Sequence, residues 1–115
     1  MKIAIIGSRN VTVDNEVLSK YVSPTDEIVS GGAKGVDSCA RDFAKKKGIG
    51  FTEFLPEYSL YGRAAPIRRN EKIVDYADKI IAFWDGESRG TLSTIKYAKK
   101  LGKECEIIIC KNGEP

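Results

Sequence analysis

Three segments of the chain combine glycine, a hydroxyl and a cation within a few residues: Gly7-Ser8-Arg9-Asn10, Ser30-Gly31-Gly32-Ala33-Lys34-Gly35-Val36-Asp37, and Asp85-Gly86-Glu87-Ser88-Arg89-Gly90-Thr91. That combination suits anion binding. Glycine lets a ligand approach the backbone and its amides, and helix N-termini add partial positive charge. Arg9, Lys34 and Arg89 can supply charge-assisted hydrogen bonds to phosphate. A fourth segment, Arg68-Arg69-Asn70, places two cations at the start of a helical pattern. There they oppose the helix dipole, at about 0.3–1 kcal/mol each when exposed, unless they face an anion. Arg63 lies just upstream and can join them.

The chain contains no histidine. This excludes Ser-His-Asp and Cys-His nucleophile pairs and every His-ligated metal. Any acid–base chemistry falls to carboxylates, of which Asp37, Glu71, Asp85 and Glu87 lie in or beside the segments above. Cys39, Cys105 and Cys110 lack the paired spacing of a zinc site and read as reduced, structural thiols. No metal or cofactor is expected. With 19 basic and 16 acidic residues, the net charge of +3 does not by itself demand a polyanionic partner. Ile3–Ile6 and Ile107–Cys110 are too short to cross a bilayer, and the first apolar run stops at Gly7, short of a signal peptide. The expectation is a cytoplasmic protein with no membrane partner.

The elements that must position these residues alternate along the chain. Strand-like apolar runs are expected at 2–6, 27–29, 51–55, 79–84 and 104–110. Helical patterns are expected at 14–21 (Val17, Leu18 and Tyr21 inward), from Val36 through Phe43 and Ala44 to the Gly48 C-cap, at 67–76, and at 91–101 (Leu92, Ile95, Ala98 and Leu101 inward, Gly102 as stop). Glu57 to Pro66 reads as a loop, with Tyr58 and Tyr61 suited to a lid. Lys45-Lys46-Lys47 reads as a solvated helix end that complements the dipole. Trp84 can stack on a base, although a strand-end tryptophan more often packs.

Continuous apolar strands with a helix in each connection imply a parallel sheet built from right-handed βαβ units. The expectation for residues 1–115 is a single three-layer α/β domain with a five-stranded parallel sheet of order 3-2-1-4-5. In such a sheet, ligands bind beyond the strand C-termini where the order reverses. That crevice collects the candidate ligand residues Gly7, Ser8, Arg9, Ser30, Gly31, Gly32, Lys34, Gly35, Asp37, Arg68, Arg69, Asn70, Asp85, Ser88, Arg89, Gly90 and Thr91. The glycines match neither a P-loop nor the G-x-G-x-x-G dinucleotide fingerprint.

Taken in order, GSRN, VSGGAKGVDSCA, RRN and DGESRGT resemble the SLOG superfamily of Rossmann-like domains, which includes the LOG phosphoribohydrolases and the DNA-processing protein DprA. The likeness runs from Lys2 to Ile109, and the short length and FWDGESRGT form look most like the small stand-alone YspA/YpsA-type members. The resemblance implies a phosphate-side motif at Gly31, Gly32 and Gly35. It equates Arg69 with an arginine of LOG enzymes, and Gly90-Thr91 with their Gly-Thr. The glutamates that follow Gly-Thr in those hydrolases are replaced here by Ser93 and Thr94, which removes the expected acid–base group. It also implies an assembly of identical copies.

Three functions follow, in order of preference. The first is sensing of a nucleotide or nucleotide-derived phosphorylated small molecule. The second is an N-glycosidic nucleoside-phosphate hydrolase resembling the LOG enzymes. The third is DprA-like single-stranded nucleic-acid binding along Arg9, Lys34, Arg63, Arg68, Arg69 and Arg89 with stacking tyrosines.

Overall fold

Alternation along each central strand decides the architecture. In the computed structural model, which describes Met1–Pro115, β1 (Lys2–Gly7) turns Ile3 and Ile5 to one face and Ala4 and Ile6 to the other, all buried. β4 (Lys79–Trp84) does the same with Ile81 and Phe83 against Ile80 and Ala82. Two strands buried on both faces must be covered by helices on both sides. β2 (Glu27–Ser30), β3 (Gly50–Glu53) and β5 (Glu104–Ile109) complete an all-parallel sheet of order β3-β2-β1-β4-β5. The expected α/β Rossmann-like architecture and strand order are therefore observed.

α1 (Asn15–Ser19) and α2 (Val36–Lys47) cover one face, where Leu18, Val36, Ala40 and Phe43 join Ile3, Ile5 and Ile28. α4 (Ala65–Tyr76) and α5 (Arg89–Lys100) cover the other, where Ile73, Val74, Ile95 and Ala98 meet Ala4, Ile6 and Val29. Each buried Ile or Phe contributes about 1.5–3 kcal/mol. The side of the helices follows from handedness. The chain moves outward from β1 to β3 on one side, then crosses to β4 and moves the other way, so right-handed crossovers change faces. The reversal lies between β1 and β4.

Several boundaries differ from those the sequence suggests. Residues 57–66 are not a loop: α3 (Tyr58–Tyr61) and a 3-10 turn (Gly62–Ala64) fill them, and α4 begins at Ala65. Pro66 lies in the first turn of α4, where its fixed φ and missing N–H cost nothing. β3 ends at Glu53 because its neighbour β2 ends at Ser30, although Phe54 N still donates to Ser30 O at 2.9 Å. α5 begins at Arg89, two residues before the expected start, and Leu101 is its exposed C-cap. Thr91 and Thr94 are buried instead. The three cysteines are free. No helix is long and apolar enough to cross a membrane.

Candidate functional site

A cleft of about 390 Å³ opens at the C-terminal ends of β1 and β4. Ile6 and Ile73 give it an apolar floor, and Ser8, Arg9, Asn10, Asp37, Arg69, Asn70, Ser88, Thr91 and Thr94 supply its polar groups. The two central loops are tied together beneath it: Ser8 N donates to Phe83 O at 3.1 Å, and Asp85 N donates to Ser8 Oγ at 3.2 Å. Gly7 permits this approach, since a Cβ there would sit 2.5 Å from Phe83 O and from Val36 Cγ2.

One wall comes from the β2–α2 turn and α4. Gly35 adopts φ +74°, and a side chain there would collide with Arg9 O at 2.5 Å. This turn brings Asp37, at the start of α2, to the cleft. Asp37 Oδ2 accepts from Ala33 N at 3.1 Å, and Ser38 Oγ donates to Ala33 O at 3.0 Å. Arg69 reaches across from α4. Its Nη1 donates to Gly31 O and its Nε to Asn70 Oδ1 at 2.8 Å. Asp37 and Arg69 are only 7% and 8% exposed. Burial pushes the Asp37 carboxyl above its ordinary range, opposed by the Ala33 N–H, the nearby Ser30 hydroxyl and Arg69. Burial likewise lowers the Arg69 guanidinium, while Asp37 acts to raise it.

The facing wall is the start of α5. Ser88 is its N-cap but makes no side-chain cap bond, and the first helical bond is Leu92 N to Ser88 O at 3.2 Å. The amides of Arg89, Gly90 and Thr91 are therefore free, as helix N-termini require. Ser88 Oγ and Thr91 Oγ1 lie 3.3 Å apart, and Thr94 Oγ1 donates to Gly90 O at 2.9 Å. Unpaired amides, hydroxyls and a dipole end at one spot are the groups by which a helix N-terminus can bind an anion.

The cleft thus gathers Gly7, Ser8, Arg9, Asp37, Arg69, Asn70, Ser88, Gly90 and Thr91 from the residues singled out in the sequence, with Gly31 and Gly35 shaping the wall behind. It leaves others elsewhere. Ser30 Oγ donates to Ile5 O at 3.0 Å and joins two strands. Gly32, at φ +72°, faces Glu53 and Leu55, and Lys34 is exposed beyond the cleft. Arg68 is exposed and pairs with Glu71 at 3.0 Å. Arg89 lines a shallow surface with Leu92, Ser93 and Lys96.

Of the four candidate carboxylates, only Asp37 lines the cleft. Asp85 Oδ1 instead accepts from Glu87 N at 2.9 Å and Ser88 N at 2.7 Å, and these N–H groups hold its carboxyl below the usual range. Trp84 Nε1 donates to Ser88 O at 3.0 Å, so the indole braces this loop. Tyr58 and Tyr61 are exposed, outside the cleft lining. Asn10, Ala33, Pro66 and Thr94 line the cleft without having been singled out as ligand residues. Thr94 follows Thr91 by three positions, the spacing that puts two residues on one helix face.

Residues 1–52 match the family model of DNA recombination-mediator protein A. The matched stretch runs from β1 into β3 and carries the Gly7–Asn10 and Ser30–Asp37 turns, but neither Arg69 nor the α5 N-terminus. It supports a DprA-like, SLOG-related N-terminal portion. No curated protein matches the chain.

Proposed function

We propose that the cleft binds a nucleotide or nucleotide-derived phosphorylated ligand. The observation that carries this reading is a shared lining. The buried Arg69 and the first turn of α5, whose amides are free, line one cleft together with the hydroxyl residues Ser8, Ser88, Thr91 and Thr94. Arg69 Nη2 has no protein partner and is not sealed from solvent. A phosphate between the walls would accept from both. The FWDGESRGT segment suggests a sensor of the YspA/YpsA type, and we assign no reaction to it.

A thermal-shift series with nucleoside monophosphates, sugar phosphates and a short single-stranded oligonucleotide tests the reading. Ligand at one hundred times its Kd adds about 2.7 kcal/mol to the folded state, on the order of 10 °C in Tm for a domain of this size. No shift with any of them would overturn it.

The match to DNA recombination-mediator protein A favours a second reading, single-stranded nucleic-acid binding. Arg9, Lys34, Arg63 and Arg89 are exposed cations, and Tyr58 and Tyr61 are exposed aromatics available for stacking. Oligonucleotide affinity that falls steeply with salt, alongside weak mononucleotide binding, would select it over the first.

A further inference from the structure

Asp37 and Arg69 share an unusual arrangement. Both are more than nine-tenths buried, and both crowd one backbone position: a Cβ on Gly31 would lie 2.8 Å from Arg69 Nη1 and 3.0 Å from Asp37 Oδ2. Opposite charges buried so close would ordinarily pair, yet no ion pair joins them. Each spends its bonds elsewhere: Arg69 donates to Gly31 O and Asn70 Oδ1, and Asp37 accepts from Ala33 N. Asp37 Oδ1 is left without a hydrogen-bond partner, and it is not sealed from solvent on a residue that lines the cleft. The wall therefore presents an unused acceptor beside an unused donor. Water can reach both atoms, but charged groups on side chains this buried are poorly hydrated, and a ligand that meets both would replace the few waters they keep.

A bare phosphate does not meet both, because held at Arg69 it is repelled by the neighbouring carboxylate. The complement is an anion whose own hydroxyl lies a few bonds away and donates to the carboxylate. The apolar floor of Ile6 and Ile73 suits the carbon skeleton between the two.

We propose that Asp37 determines specificity by accepting a hydrogen bond from a sugar hydroxyl of the ligand, so that the cleft selects a hydroxylated sugar phosphate over a bare or deoxygenated one. This rests on the phosphate-ligand reading above.

The test is a cycle between protein and ligand at pH 8, by calorimetry. Adenosine 5′-monophosphate is compared with its 2′,3′-dideoxy analogue on wild-type protein and on Asp37→Asn, with ribose 5-phosphate as a base-free probe. In Asp37→Asn the single amide oxygen is claimed by Ala33 N–H, which turns the NH₂ toward the cleft and removes the charged acceptor. Wild type should lose roughly tenfold or more in affinity without the hydroxyls, as for a hydrogen bond to a charged group. The variant should lose about twofold or less. Asp37→Ser provides the same arm if the amide variant does not fold. Equal losses in both proteins, or no discrimination by wild type, would overturn the proposal while leaving the phosphate reading intact. Failure of all three compounds to bind wild type would overturn this proposal, and the same failure across the thermal-shift series would overturn the phosphate reading as well.

Discussion

The two walls of the cleft would hold an anion in opposite ways. The β2–α2/α4 wall uses buried side chains wedged around Gly31, where even a methyl group would press on Arg69 and Asp37. The α5 wall uses backbone amides beside Gly90, where an added Cβ would meet nothing within 4 Å. The first wall is rigid and can discriminate. The second offers a dipole end and amides with little shape, and would suit any phosphate. In this account affinity draws on both walls, and specificity on the first.

Removing Arg69 should break the contrast most severely. Arg69→Ala deletes the bond to Gly31 O and the cation opposing Asp37, leaving a buried carboxylate uncompensated. A loss of about 3 kcal/mol in urea unfolding is expected, together with loss of ligand binding. Retention of both would show that the first wall is not built around this residue. Paired glycine substitutions sharpen the comparison. Gly31→Ala should weaken binding about tenfold by displacing the two charged groups, since a misplaced contact costs on the order of 1.4 kcal/mol. Gly90→Ala should change stability by no more than about 0.5 kcal/mol and leave binding within about twofold. Equal effects at the two positions would dissolve the distinction.

The smallest expected effect is on stability against pH. Burial raises the Asp37 carboxyl above 3.8, while Arg69 pulls it down and Glu53 pushes it further up. A raised folded-state value means that the stabilisation is complete below the ordinary carboxylate range and is lost as pH rises through the folded value. Asp37→Asn, neutral throughout, should therefore raise Tm modestly at neutral pH, and the gain should fade as the pH drops below about 4. A gain that persists at low pH, or a loss at neutral pH, would contradict the assigned cause.

Much of the fold was legible because periodicity reports burial. Ile3–Ile6 and Ile80–Phe83 are short, β-branched-rich apolar runs without polar alternation, bounded by Gly7 and Asp85-Gly86, as strands covered on both faces are, and crossover-length connections favoured the parallel order that is observed. The region from Tyr58 to Ala65 was not legible, because Gly62 and the flanking Pro56 and Pro66 are turn signals, and Pro66 is accommodated only because it falls in a first helical turn. Leu101 misled for a different reason. The apolar stripe of α5 continues to the residue that caps the helix, where burial has already ended.

At the cleft, residue types pointed to an anion, but spacing could not say which side chains turn inward. Arg68 and Arg69 are adjacent and chemically alike, yet one is exposed beside Glu71 and the other lies under the cleft. Ser30 and Gly32 flank the residue that matters and serve the strand and the turn instead.

The most direct test is an amide-resolved NMR titration of the full chain with adenosine 5′-monophosphate. The account predicts saturable shifts at Gly90 and Thr91 on one wall and at Gly31 and Ala33 on the other. Lys45, Lys46 and Lys47, at the opposite end of α2, should remain still. Shifts confined to those lysines or to the C-terminal residues, or none at millimolar ligand, would contradict the claim that this cleft holds a phosphate.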